Sequence, residues 1–208
     1  MKNSIGMLLS TVEQLDQSEV SEDRDSKSKL ALLHAEASRI NNDLVHLLGI
    51  YRMDQDHLCL NYQECFVFDI LQDQVVNNGI IFRSESLKVE IECDDKLSWF
   101  FDEQLIADVI GNVLINAAKY AKSSIIIKAE VIESFLKISV LDDGNGYPEK
   151  MLSNPDELKN GIDFATGSTK LGLFFASRIA LEHQKDEQSG YIHLENYDGG
   201  GMFSLCLP

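Results

Sequence analysis

The segment Gly111–Ala121, Gly-Asn-Val-Leu-Ile-Asn-Ala-Ala-Lys-Tyr-Ala, constrains this chain more than any other. It contains no proline and predicts a helix, on which Asn112, Asn116 and Lys119 fall at i, i+4 and i+7, one stripe of the surface. Val113 and Ala117 make a second stripe turned towards a core, with Tyr120 at its end. The polar stripe has two readings. It is either a solvated helix face or one wall of a binding site.

Two glycine-punctuated stretches downstream bear on that choice. Asp142-Asp143-Gly144-Asn145-Gly146 follows a predicted strand directly. Glycines at i and i+2 allow a tight turn and the approach of a flat ligand with no Cβ in the way. An aspartate at the strand end can accept a hydrogen bond from an exocyclic amine such as that of adenine. The alternative is a plain Asp-Gly turn. The second stretch, Gly167-Ser-Thr-Lys-Leu-Gly-Leu173, opens a helix. Unpaired N–H groups there favour an anion, and Ser168 and Thr169 add hydroxyl donors; an ordinary capped helix start is the other reading. What counts is the order: an Asn/Lys helix, a strand ending in Asp-x-Gly-x-Gly, a long loop, then a glycine-opened helix.

The rest of the chain sets bounds. The net charge of −16, from 34 acidic and 18 basic side chains, argues against nucleic acid and against contact with an anionic membrane. An anionic ligand then needs a local site of backbone N–H groups, a metal and a few lysines. Cys59, Cys65, Cys93 and Cys206 lack Cys-x-x-Cys spacing and read as buried thiols in a reducing compartment. No apolar run approaches a membrane span and no signal peptide opens the sequence, so a cytoplasmic location is expected.

Two domains are expected. In residues 1–56, apolar stripes over 5–15 and from Lys27 to Tyr51 flank a polar loop and predict a helical hairpin. Pairing two such hairpins into a four-helix bundle covers both stripes, which implies a homodimer. Residues 57–208 predict an α+β sandwich of mixed strands with helices on one face. Its expected parts are a strand at Leu58–Tyr62, a helix at Phe66–Asn78 stopped by Gly79, and a strand around Leu87–Ile91. Trp99–Asp102 is extended and leads into a helix near Glu103. A hairpin over Ser124–Val131 and Phe135–Leu141, irregular chain from Asp142 to Thr169, a helix at Leu171–Glu182, and closing strands Tyr191–Leu194 and Met202–Leu207 complete it.

In this order the chain resembles a sensor histidine kinase of two-component systems, with its Bergerat-fold ATP-binding domain. Asn112 to Ala121 resembles the family's N box, Asp142-x-Gly144-x-Gly146 its G1 box, and Gly167 to Leu173 its G2 box. The closing hairpin is similar as well, and the likeness covers roughly Asn61–Pro208, with a weaker signal in the front hairpin. The resemblance implies ATP and Mg²⁺ as cofactors, with Asn116 as the Mg²⁺ ligand and Asn112 beside it. It places Lys119 near the phosphates, Tyr120 near the nucleotide, and Asp142 on the adenine amine, with Gly144 and Gly146 making room. Tyr147–Thr166 would be the ATP lid with Phe164 as its clasp, and Gly167, Ser168, Thr169, Leu171, Gly172 and Leu173 would line the phosphate end. The implied reaction is γ-phosphoryl transfer to a histidine, with Asn116 and Lys119 assisting, for relay to a response regulator receiver domain.

Three departures or choices qualify the resemblance. Relatives that hydrolyse ATP carry a water-activating glutamate where this chain has Asn112, which favours a kinase over an ATPase. The G2 box has Lys170 where glycine is usual. The acceptor histidine is expected just upstream of residue 1, with His34 and His46 as rivals, while His57, His183 and His193 read as loop or surface positions. A phosphotransfer or scaffold protein with a degenerate nucleotide domain stays open beside the kinase reading. A serine kinase of the anti-sigma type is disfavoured by the long front hairpin.

Overall fold

The computed structural model describes residues 59–153 and 171–208, with Leu44 and Gly49 as two isolated helical positions. The chain divides between His57 and Leu58 into two units, and the strands and helices named here all belong to the second. The expected front hairpin, with His34 and His46, lies outside the described residues.

Among the described residues, fourteen elements run in the order β1 (Tyr62–Phe66), α1 (Val67–Asn77), α2 (Gly79–Ser84), β2 (Lys88–Cys93), β3 (Ser98–Asp102), α3 (Glu103–Tyr120), β4 (Ser124–Ile132), β5 (Phe135–Asp142), α4 (Glu149–Ser153), α5 (Leu171–Glu182), β6 (Gln184–Lys185), β7 (Gln188–Ser189), β8 (Tyr191–Tyr197) and β9 (Gly200–Leu207). The main sheet has the strand order β2-β4-β5-β9-β8. Among the described strands only β2 and β4 pair in parallel, and α3 lies within the connection that such a pair needs. The expected mixed α+β architecture is the one observed.

The core follows from alternation. Ile125, Ile127 and Ala129 of β4, with Leu136, Ile138 and Val140 of β5, bury one face of the sheet. Register places Val140, Ile138 and Leu136 beside Phe203, Leu205 and Leu207 of β9. Against this face lie Ile106, Val109, Ile110, Val113 and Leu114 of α3, and Phe175, Ala176 and Ile179 of α5, all buried. On the other face of β5 and β9, Ser139 and Ser204 are cross-strand partners whose hydroxyls meet at 3.0 Å, so neither buried group lacks a partner.

Five expectations need correction. The first strand begins at Tyr62, because its register is fixed by pairing with β3, Tyr62 opposite Asp102 and Phe66 opposite Ser98. The helix after it ends on Asn78, whose side chain and N–H both return to the Gln74 carbonyl, and Gly79 opens α2 with no left-handed φ. Of the cysteines, only Cys65 and Cys206 are buried; Cys59 is exposed and Cys93, at the end of edge strand β2, is half-buried. The turn between β4 and β5 is the residue pair Glu133-Ser134, both at positive φ, as a two-residue hairpin loop of this hand requires.

His183 is the fifth. It is buried, not on the surface. Its Nε2 accepts the N–H of Asp102 at 3.1 Å, and its Nδ1 lies 2.8 Å from the Ile179 carbonyl. That pairing describes a neutral ring carrying its proton on Nδ1. Asp102 in turn caps α3, Oδ1 accepting the Leu105 N–H at 3.1 Å and Oδ2 the Asn61 N–H at 2.9 Å. Tyr62 meets the imidazole edge-on at 5.5 Å. Close by, the indole N–H of Trp99 donates to the Pro208 carbonyl at 3.1 Å, tying β3 to the residue after β9.

Burial pushes His183 below its ordinary pKa, against the pull of the Ile179 carbonyl and the Asp102 and Glu182 charges. The unfolded chain therefore binds this proton at a pH where the folded one does not. Its contribution is complete above the ordinary histidine pKa of about 6.5 and is lost as pH falls below it, with a slope of up to about 1.4 kcal/mol per pH unit. We predict that His183→Gln flattens the fall in stability between neutral pH and pH about 5. Denaturant titrations of both proteins check this; parallel pH profiles would show the imidazole is not the group responsible.

Candidate functional site

The second half of α3, the end of β5, the loop after it and the start of α5 meet at one edge of the sheet. Capping by Asp102 and the buried stripe fix α3, so Asn112, Asn116 and Lys119 are displayed by position. Asn112 and Asn116 are half-buried, and Lys119 and Tyr120 are exposed, with Nζ 5.3 Å from the tyrosine ring centre. The Nδ2 of Asn112 is sealed from solvent and has no hydrogen-bond partner among the described residues. A buried amide in that condition is costly and calls for an acceptor. The α5 backbone lies directly against it: a Cβ on Gly172 would overlap Nδ2 and stand 2.8 Å from Oδ1. Leu171 and Leu173 flank this contact and are buried.

Asp142 ends β5 with its carboxylate half-buried. Oδ1 accepts the N–H of Gly144 at 2.8 Å and that of Gly201 at 3.5 Å. Burial pushes its pKa up, and those two N–H groups pull against the shift. A Cβ on Gly144 would overlap the Tyr120 carbonyl oxygen, so the loop sits directly on the end of α3.

That seat is held by Asp143. Its Oδ1 accepts the N–H groups of Lys122 at 2.8 Å and Ser123 at 3.0 Å, and its Oδ2 takes the Ser123 hydroxyl. The Lys122 ammonium donates to the Gly144 carbonyl at 3.0 Å. At the far side of the loop Gly146 has φ +75°, and the Asn196 amide of β8 bonds the neighbouring Tyr147 backbone on both sides.

The structure thus sets Tyr120, Asp142 and Gly144 against one another and Asn112 against Gly172, with Asn116 one turn along α3 from Asn112. Phe164, Gly167, Ser168 and Thr169 lie outside the described residues, as does Lys170. The irregular stretch after Asp142 contains α4, which periodicity did not indicate. Sequence reasoning gave no role to Lys122, Ser123, Asp143, Asn196 and Gly201, and named Tyr147 only as the first residue of the lid. Only the second aspartate of Asp142-Asp143 carried a local signal, since short side chains of this type bond nearby backbone N–H groups.

Residues 101–208, more than half of the chain, match the family described as histidine kinase-, DNA gyrase B-, and HSP90-like ATPase. The chain belongs to this ATPase family. Among the relatives of this ATPase domain, the sensor protein SrrB of Staphylococcus aureus is 25% identical over 215 residues, aligning with 100% of this chain and 36% of its own length. The chain therefore spans about a third of that relative. Histidine kinase AdeS of Acinetobacter baumannii is similar in fold, with a TM-score of 0.67 at 17% identity over 99% of this chain and 95% of that one. A structure of histidine kinase ThkA in complex with response regulator protein TrrA gives 0.65 at 19% identity, covering 100% of this chain and 58% of that one. The likeness is to the catalytic domain of sensor histidine kinases.

The family implies ATP, and the polar groups of this domain fit a nucleotide. The Asn112 amide is an orphaned donor among the described residues, and the Asp142 carboxylate is half-buried. Among the described residues no group of three His, Cys, Asp or Glu side chains stands ready as a complete metal cage. No helix among the described residues is long and apolar enough to cross a membrane.

Burial opposes ionisation of Asp143, but the Ser123 hydroxyl and the surrounding N–H groups outweigh it and hold the carboxyl well below the usual range. Its contribution is thus full above the unfolded aspartate pKa of about 3.9 and is lost as pH falls further. Asp143→Ala is expected to cost about 1–2 kcal/mol at neutral pH, allowing for solvent screening of this partly open site. Chemical denaturation measures the loss, and a change within error would mean that the strut is idle.

Proposed function

We propose that the chain binds Mg²⁺-ATP at this edge of the sheet and transfers the γ-phosphoryl to a histidine, for relay to an aspartate of a receiver domain. The observation that carries the reading is the sealed, unpartnered amide of Asn112 lying between α3 and the start of α5, one helical turn from Asn116. It is a donor with nothing in the described residues to receive it, in a domain whose family uses ATP.

In this reading Asp142 accepts the adenine amine. The Gly144 N–H fixes that carboxylate, and Lys122 and Asp143 keep the loop seated on α3. Asn116 offers a neutral side-chain oxygen to Mg²⁺, whose chemistry when bound is to bridge phosphates and offset their charge. Lys119, exposed and close to that stripe, adds a point charge near the phosphates. Asn112 stands where ATP-hydrolysing relatives have a water-activating glutamate, and an amide cannot take a proton from water. Positioning and charge neutralisation then serve transfer to a side chain in place of hydrolysis. Tyr120 borders the nucleotide, Gly172 lets α5 close on α3, and Leu171 and Leu173 back that end of the site. Phe164, Gly167, Ser168 and Thr169 complete the lid and phosphate end.

The partners follow the same reading: residues 1–56 dimerise, residues 57–208 bind nucleotide, and a response regulator docks on the helical part. The ThkA structure contains such a regulator.

Calorimetry with ADP and ATP, with and without Mg²⁺, tests the core of this. Asn116→Ala should lower Mg²⁺-dependent ATP affinity at least about tenfold with the unfolding midpoint retained, since it removes a half-exposed polar group and no core contact. Asp142→Asn should weaken ADP by about tenfold or more, because an amide N–H faces the adenine amine where a carboxylate oxygen accepted it. A wild-type chain that binds neither nucleotide would leave the scaffold reading in its place. Acid-labile label from γ-labelled ATP appearing on these 208 residues alone would move the acceptor to His34 or His46.

A further inference from the structure

Asn196 belongs to none of the motifs, yet it reaches the nucleotide loop from β8. Its Oδ1 accepts the Tyr147 N–H at 2.6 Å and its Nδ2 donates to the Tyr147 carbonyl at 3.0 Å. One side chain thus fixes both polar groups of a single loop residue. The pairing also explains Gly146, whose Cβ would stand 2.6 Å from Asn196 Oδ1. That glycine makes room for the clamp as well as supplying the positive φ.

The clamp aims the Tyr147 ring. Asn196 is the cross-strand partner of Gly201 in the β8–β9 ladder. A Cβ on Gly201 would stand 2.9 Å from Asp142 Oδ2 and 3.1 Å from Tyr147 Cε2. Ring and carboxylate therefore converge on the bare backbone of Gly201, and the aromatic covers a strand glycine as such rings do. Burial, and then the charge of Asp142, raise the Tyr147 phenol above its usual pKa, in keeping with a half-buried ring beside the carboxylate. Burial of Asp142 works in the same direction on its own proton.

We propose that Asn196 is a positioning residue and Tyr147 a specificity-determining residue of the nucleotide site. Together they wall the side of Asp142 from water so that the carboxylate distinguishes a base bearing an exocyclic amine from one bearing a carbonyl at that place. The inference rests on the nucleotide-site reading above. Its physical basis is the local dielectric. A carboxylate shielded from water gains more from an amine donor and loses more against a carbonyl oxygen than one in solvent. Opening the wall to water reduces both effects, and with them the discrimination.

The test compares ADP with inosine diphosphate, which carries a carbonyl where adenine has its amine, by calorimetry on the full chain with Mg²⁺. Asn196→Ala is expected to weaken ADP about tenfold and inosine diphosphate much less, so the ratio of the two affinities falls. Tyr147→Phe, which keeps the ring, should retain the wild-type ratio, and Tyr147→Ala should match Asn196→Ala. Thermal midpoints without nucleotide show that each variant is folded, and the Tyr147 pair serves if Asn196→Ala is not. An unchanged ratio in both alanine variants, or an equal weakening of both nucleotides, would overturn the proposal. A wild-type chain that binds no ADP would instead strike the nucleotide reading on which it stands.

Discussion

At Gly172 the backbone of α5 lies so close to Asn112 of α3 that no side-chain carbon fits between them. This approach sets the depth at which the polar stripe of α3 is buried, and so decides which amide atoms still see water. It is possible because the two helices share the core beneath them, Val113 and Leu114 from one side and Phe175, Ala176 and Ile179 from the other. Apolar packing of this kind is stabilising in proportion to the area removed from water, and it overrides the cost of leaving one amide donor unsatisfied. The unsatisfied group is thus a by-product of good packing that a ligand can use.

The site's other half has a different origin. The loop after β5 contributes little apolar surface, and its shape comes from hydrogen bonds to charge. Asp143 gathers the start of β4, Lys122 holds the Gly144 carbonyl, and Asn196 fixes Tyr147 from β8. A chain of strongly negative overall charge keeps two lysines, Lys119 and Lys122, at the one edge where an anion is expected. Only Lys122 is committed to the loop among the bonds described. One rim of the site is therefore packed and the other is tied, and acid weakens the tied rim first.

Most of the helices and strands were legible because their signals are local. The stripe of α3, the alternation of β2, β4 and β5, and the extent of α5 follow from spacing alone. What could not be read depended on partners distant in sequence. The start of β1 is set by β3, some forty residues on, and nothing in Leu58–Tyr62 announces it. His183 reads as a surface residue after a helix, and is buried because the cap of α3 presents an N–H to it. Asn196 sits in an alternating strand with no motif around it, and gains its role only when Gly146 folds back across β8. Within the site, Asp142, Gly144 and Asn112 were visible as motif residues, whereas the groups that aim them were not.

The bond from Trp99 to the Pro208 carbonyl has a practical consequence. Trp99 is the chain's single tryptophan, held with Lys185 5.9 Å above its ring, in the strand that feeds the first turn of α3. The candidate nucleotide residues occupy the last turns of the same helix, and eighteen residues of helix span roughly 27 Å. Indole emission from this protein is therefore a report on the union of β3 with the end of β9, read at a distance from whatever fills the opposite edge. A fluorescence melt follows the integrity of the domain, and leaves the ligand edge to be watched by a probe of its own.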